Sequence, residues 1–293
     1  MSEWIGVFAA MLSLGTPLVI AASGESILER TGILNIGLEG MMLSGAFVGF
    51  CLSYFTGIVW IGVLGGISVG VLLALFSSIF LIRFAADQIV VGTGINLLCL
   101  GITSTLTIML FGKTGKLMSA PGVPKFGNVL SLDMLMALAI CVVIGAWFLM
   151  RKTKWGLVAR GCGEAPDAVE AAGFSVSRIR TQAFVVAGAT AGLAGAYLSL
   201  AQTSSFVPNM TAGRGFLVIA AVTFGRWMPV GSALACLLIA FALGLQSMTK
   251  ALNLPIPYQL FDAMPYLVSL AVLIFVGKGS SAPATLGVPR SSK

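Results

Sequence analysis

Two runs in this sequence place polar groups where they could do work. The first is Asn35-Ile36-Gly37-Leu38-Glu39-Gly40, a carboxylate among glycines near the start of a long apolar stretch. Glycine permits a helix to break, and a helix broken inside a membrane bares backbone groups that must be satisfied by protein or by a water-lined path. A carboxylate there is costly unless partnered, so Glu39 either faces the bundle interior or sits at the interface and caps the helix that follows. Arg214 is its candidate partner if the two halves of the chain meet. Asn35, Gly37, Glu39, Gly40, Asn96 and Arg214 make up the candidate substrate pathway. Asn96 shares with Gln88, Gln182 and Gln202 a second reading as hydrogen-bonding glue between helices.

The second run is Gly163-Glu164-Ala165-Pro166-Asp167-Ala168-Val169-Glu170-Ala171-Ala172-Gly173. Proline suits a first helical turn, Asp167 and Glu170 favour the positive end of the helix dipole, and Gly173 is a good stop. The pattern predicts a helix of about two turns outside the membrane, marginal alone in water, onto which a partner would pack.

Catalysis finds little support. The sequence contains no histidine, so the commonest general base and metal ligand is missing. Cysteines stand at 51, 99, 141, 162 and 236 without a Cys-x-x-Cys pair, and four fall in apolar stretches, so they read as small hydrophobes. Gly112-Lys113-Thr114 could end a phosphate loop, but Thr107 stands where the first glycine belongs. Gly92-Thr93-Gly94 lies in an apolar run and lacks a dinucleotide-fold context. The chain is read as a non-enzyme that binds no metal or cofactor, and ATP, if used, binds elsewhere.

The elements that position these runs are membrane helices. Of the 293 residues, 58% are hydrophobic and 9% charged, with a mean hydropathy of +1.02, too little charge to clothe a soluble domain. Apolar blocks run from about Trp4 to Ser23, Gly32 to Tyr54, Ile58 to Ile82, Gln88 to Phe111, Leu132 to Met150, Thr181 to Leu200, Gly231 to Met248 and Phe261 to Val276. Most reach the roughly 20 residues that a crossing needs. A polar stretch, Gly24 to Thr31, separates the first two, and Gly215 to Phe224 is too brief to cross unaided. The expectation is an all-α polytopic membrane protein of about 8–10 transmembrane helices, with an inverted repeat and at least one broken helix. A single transmembrane domain spans 1–293, with a cytoplasmic loop at 151–180 and a polar cytoplasmic tail at 278–293.

Net charge is +7, but the basic residues lie mostly between apolar blocks, as topology determinants and contacts for anionic lipid do, so nucleic acid is not an expected partner. Arg151, Lys152, Lys154, Arg160, Arg178 and Arg180 crowd one connection, placed in the cytoplasm. Counting outward puts Arg83, Arg226, Lys278, Arg290 and Lys293 on that side and Lys113, Lys116, Lys125 and Lys250 opposite; the side of the N-terminus stays open. Thr31 to Gly40 also resembles Thr211-Ala212-Gly213-Arg214-Gly215: each follows a polar loop and enters the membrane, from opposite sides. Inverted repeats of this kind enclose a substrate path in transporters. Gly45/Gly49, Gly62/Gly66, Gly66/Gly70 and Gly188/Gly192 are spaced for close helix packing.

Gly156-Leu157-Val158-Ala159-Arg160, Glu164-Ala165-Pro166-Asp167-Ala168, Ala171-Ala172-Gly173-Phe174-Ser175-Val176 and Ala191-Gly192-Leu193-Ala194-Gly195-Ala196 together resemble the permeases of ATP-binding-cassette (ABC) importers for ribose, other simple sugars, nucleosides and branched-chain amino acids. Glu29 to Met42 resembles the nucleoside and simple-sugar branch, and the overall length fits the shorter nucleoside permease. Gly161-Cys162-Gly163 departs from the more usual Arg-Ala-x-Gly pattern. The resemblance implies that Gly163, Glu164, Ala165, Pro166, Asp167, Ala168, Val169, Glu170 and Gly173 form a coupling helix seated in a groove of a separate ABC ATPase subunit, which holds ATP and Mg. It also implies a second permease subunit, identical or homologous, an extracytoplasmic substrate-binding protein or lipoprotein, and a multi-pass location in the bacterial inner (cytoplasmic) membrane. Nucleosides are the implied substrate, ribose or another simple sugar the alternative. An ion-coupled secondary transporter is the competing class, for which Glu39 is the one good intramembrane carboxylate. A bulky charged residue at Ala168 is expected to abolish transport while leaving the protein in the membrane; normal uptake by Ala168→Arg would remove the coupling role.

Overall fold

In the computed structural model, residues 2–112, 119–126, 132–251 and 282–288 are described, together with Ala263 and Leu267. The helices are α1 (Ser2–Arg30), α2 (Leu38–Thr56), α3 (Val59–Ser78), α4 (Gln88–Phe111), α5 (Met134–Lys152), α6 (Lys154–Glu164), α7 (Pro166–Ala171), α8 (Val176–Tyr197), α9 (Arg214–Phe224) and α10 (Pro229–Ala251). A π-helical turn extends α3 through Ile79–Arg83 and another extends α8 through Leu198–Gln202. Among the described residues, 7 helices are long and apolar enough to cross a membrane, and α9, with 11 residues, is not. Apart from Ala263 and Leu267, the expected last crossing, Phe261 to Val276, lies outside the described residues, as do Lys113, Lys116, Lys278, Arg290, Lys293 and the side chains of Lys125 and Lys250. A two-residue antiparallel ladder, Lys125–Phe126 with Leu132–Asp133, is the only strand pairing among the described residues.

The first helix does not stop where its apolar residues do. It runs through the polar stretch after Ser23 as far as Arg30, and Gly32, with φ of 92°, turns the chain back. Glu25, Ser26 and Glu29 are buried in that last part of α1. Helix there is tolerated because the polar groups find partners inside the protein: Ser26 Oγ bonds the carbonyl of Ser23, and both carboxylates accept hydrogen bonds from later parts of the chain.

The tertiary order follows from which helices need no lipid. The span of α8 is 78% buried and that of α2 72%, against 17% for α4 and 22% for α5. So α8 is the central post and α2 packs on it, while α4 and α5 lie at the periphery, where Val90, Leu97, Met109 and Ile140 stand exposed and suited to acyl chains. The centre is a glycine seam. A Cβ at Gly45 would lie 2.5 Å from the carbonyl oxygen of Gly192, and one at Gly62 equally close to that of Gly49. Side chains on Gly192, Gly70 and Gly188 would meet the backbone carbonyls of Gly66, Gly188 and Gly70 in turn. With no hydrophobic force between helices in lipid, such backbone approach supplies the packing.

The ends of the elements define two faces. Arg30, Glu164, Arg226 and Trp227 meet on one of them, as do Thr31, Cys162, Arg180 and Thr285. Arg83 shares a cleft with Ser177 and Thr181 there, so the basic residues gather as their distribution in the sequence predicts. Because α1 ends at this face, its N-terminus starts at the other. Helix α8 climbs away from the basic face to Gln202, residues 203–213 drop back into the bundle, and α9 returns to the basic face at Gly225. Helix α10 crosses once more, yet residues 282–288 sit on the basic face again, so the described ends flanking 252–281 lie on opposite sides.

The seam is open to a paired test. Gly192→Ala is expected to destabilise the detergent-solubilised protein by about 1–3 kcal/mol, read as a lower thermal midpoint. Gly94→Ala, with nothing within 4 Å of its added carbon, is expected to leave that midpoint unchanged or raise it slightly.

Candidate functional site

The two repeat segments meet in the middle of the bundle. Helix α9 begins at Gly213, which has φ of 82°, and no side chain of its own caps it. At a rise of about 1.5 Å per residue its N-terminus lies roughly 16 Å from the basic face, near mid-membrane. The N–H groups exposed there are satisfied by Glu39: its Oε1 accepts from the Gly213 N–H at 2.7 Å and its Oε2 from the Gly215 N–H at 2.5 Å. A carboxylate at the positive end of a helix is favoured by charge as well as by hydrogen bonding. Glu39 is 8% exposed. Glu39 thus lies inside the bundle and also caps a helix, but α9 rather than α2. Gly215 is required, because a Cβ there would lie 2.7 Å from the Glu39 carboxylate and backbone.

The segment leading to Glu39 is held by side chains of neighbouring helices. Asn96 of α4 accepts from the Gly40 N–H at 2.8 Å and donates to the Ile36 carbonyl at 2.9 Å. Gln88, also on α4, accepts from the Leu34 N–H at 2.7 Å. Asn35 is buried and gives its backbone and side-chain N–H groups to Glu25 at 3.3 and 3.2 Å. Gly37 packs against Asn35 and Ile95. Arg214 does not bond the Glu39 carboxylate but donates to Gln202 at 3.1 Å, and Gln182 accepts from the Trp155 indole at 2.7 Å. Each of the four carboxamides Asn96, Gln88, Gln182 and Gln202 therefore ties one element to another. All six candidate residues fall around the α2–α4–α9 junction.

The run from Gly163 to Gly173 folds largely as its pattern predicts. Pro166 opens the six-residue helix α7, and Gly173, with φ of 84°, stops the chain beyond it. Glu164, Ala165, Asp167, Ala168 and Glu170 are exposed, while Gly163, Pro166 and Val169 are buried. Val169 packs with Cys162 and Val176 in a small cluster that seats α7 on α6 and α8, so the helix is not isolated from its own chain. Burial pushes the Cys162 thiol above its ordinary range, as suits a neutral packing residue. Among the described residues no group of acidic, histidine or cysteine side chains could hold a metal ion.

Four residues that take part here have a placement that the sequence does not signal. Glu25 and Glu29 stand in a polar stretch that reads as a connection. Glu29 is fully buried; its Oε2 accepts from the Trp227 indole at 2.6 Å, and its Oε1 has no partner among the described residues. Glu39 is thus not the one carboxylate inside the bundle. Arg180, counted with the loop charges, is 5% exposed and donates to the carbonyls of Thr31 and Cys162 at 3.0 and 3.4 Å. Thr285 donates its N–H and hydroxyl to the Gly163 carbonyl at 3.0 and 2.9 Å.

Comparison with known proteins agrees with this architecture. Residues 7–277 match the family described as branched-chain amino acid transport system / permease component. The guanosine ABC transporter permease protein NupQ of Bacillus subtilis is 32% identical over 97% of this chain and 95% of its own length. A putative glucose ABC transporter permease protein, TsgC13 of Haloferax volcanii, is 34% identical over 94% of this chain and 92% of its own. The nucleoside ABC transporter permease protein NupC of Lactococcus lactis is 31% identical over 96% and 95%.

The Glu39 cap generates a test. Glutamine offers one acceptor oxygen and turns an amino group toward the other N–H, so Glu39→Gln is expected to lose one charge-assisted bond, about 1.5–3 kcal/mol. Both the thermal midpoint and uptake should fall. Unimpaired uptake with an unchanged midpoint would mean that the α9 amides do not depend on the carboxylate.

Proposed function

The chain belongs to the family of branched-chain amino acid transport system permease components, and we propose that it is the membrane-spanning permease of an ABC importer that carries nucleosides across the inner (cytoplasmic) membrane. The observation that carries this reading is α7: a short helix with its outer side exposed at Asp167, Ala168 and Glu170, standing on the basic face and seated on its own chain by Val169. Such a helix is shaped to be held by a partner. The partner proposed is a separate ATPase subunit that binds ATP and Mg and receives Gly163 to Gly173 in a groove. A second permease and an extracytoplasmic binding protein or lipoprotein complete the assembly, and the basic face is cytoplasmic by the excess of arginine and lysine.

Transport then follows alternating access. Closure of the ATPase dimer displaces α7, and the displacement reaches the α2–α9 junction, where Asn35, Gly37, Glu39, Gly40, Asn96 and Arg214 border the substrate path. Nucleosides are preferred because relatives similar along nearly the whole chain are named for guanosine and nucleosides. A sugar is the second reading, favoured by the relative named for glucose.

Uptake of labelled guanosine, uridine, adenosine, ribose and glucose by cells with and without this gene separates these readings. Expected is a loss of nucleoside uptake on deletion, with uptake in the intact strain that withstands a protonophore but fails on ATP depletion. Loss of ribose or glucose uptake alone would establish the sugar reading, and uptake that follows an ion gradient would overturn the ABC reading.

A further inference from the structure

The half-helix α9 is held at both ends by residues of other elements. Its N-terminus carries the Glu39 carboxylate. Its C-terminus turns sharply through Arg226 and Trp227, two consecutive non-glycine residues with φ of 56° and 54°, a conformation that costs energy and persists only where surroundings enforce it. The enforcement comes from the last two residues of α1. Glu29 accepts from the Trp227 indole, and Arg30 donates Nε to the Trp227 carbonyl at 3.1 Å and Nη2 to the Arg226 carbonyl at 3.2 Å. A cation at a helix C-terminus complements the dipole as Glu39 does at the other end.

Arg30 has a third contact, on the other side. Its Nη1 lies 3.5 Å from Oε1 of Glu164, the residue that leads into α7. Gly163 backs directly onto the Arg30 carbonyl, leaving no room for a Cβ. Arg180 and Thr285 bind the adjoining carbonyls of Cys162 and Gly163. The Arg30–Glu164 pair is half open to solvent, with side chains 20% and 53% exposed, so it contributes little to stability. Its value is geometric: one planar guanidinium joins the base of α7 to the strained end of α9.

We propose that Arg30 is the positioning residue that carries displacement of the 163–173 segment to half-helix α9, and through α9 to Glu39. The inference rests on the reading of that segment as the ATPase contact. Lysine keeps the charge beside Glu164 but lacks the fork that holds two carbonyls at once. Arg30 thereby acts on the path without touching substrate.

The test reconstitutes the complete importer, permeases with ATPase and binding protein, in vesicles and measures labelled nucleoside moved per ATP hydrolysed. Arg30→Lys is expected to assemble and to hydrolyse ATP as the unaltered complex does, with at least about a tenfold fall in nucleoside moved per ATP. A ratio equal to that of the unaltered complex would overturn the proposal. Amide exchange across Arg214–Phe224 supplies a readout independent of transport: trapping nucleotide on the ATPase should change it in the unaltered complex and not in Arg30→Lys. If the variant fails to assemble, exchange in the unaltered complex still decides, because α9 amides indifferent to trapped nucleotide would sink the link. Absence of ATP-driven transport by the unaltered complex would instead fault the importer reading.

Discussion

An amide group inside a membrane must find its hydrogen bond within the protein, and the arrangement of this molecule turns on where that demand is hardest to meet. A helix that starts at mid-depth leaves several N–H groups unpaired with no water to serve them. Helix α9 starts there, and Glu39 meets two of the N–H groups from the opposite repeat. Much else supports this one contact. Asn96, Gln88 and Glu25 hold the unwound segment that delivers Glu39, and Gly215 clears the space it enters. The glycine seam keeps α2 at a fixed depth against α8 and α3.

The lower third of the bundle solves a related problem with ionisable side chains. Glu25, Glu29, Arg30 and Arg180 each bond backbone or side chains from distant parts of the sequence. A buried charge without partners would be far more costly than the packing it displaces. These groups therefore fix which ends of which elements meet, and they do so on the face where a partner would press on α7. Strain at Arg226 and Trp227 is confined to the same place, where opposed hydrogen bonds hold it.

The fold class was plain in the sequence because apolar length is a strong signal, and the boundaries of α4 coincide with the apolar block that reads as Gln88 to Phe111. The shortness of α9 and the helix opened by Pro166 were legible for equally local reasons: run length, and a proline at a first turn. The likeness of Thr31–Gly40 to Thr211–Gly215 was visible only as similar residues, and the structure sets Glu39 of the one against Gly213 of the other. Glu25 and Glu29 were not legible. A polar stretch after an apolar block reads as a loop, and only partners some 10 and 198 positions away make it helix. The hydrogen-bond partners of Glu39 were not legible, because the sequence shows the side-chain charge of Arg214, whereas the backbone amides that bond Glu39 are carried by every residue.

Residues 282–288 close the connection between α6 and α7, with Thr285 giving both its donors to Gly163. A chain is synthesised from its N-terminus, so this closure waits for residues made long after α6 and α7. The connection itself is laid down more than a hundred positions earlier. During biogenesis this part of the basic face thus stays unfinished until residues 282–288 have been made and have reached it. The order of synthesis itself becomes a checkpoint, and a truncated product lacks the residues that complete the connection.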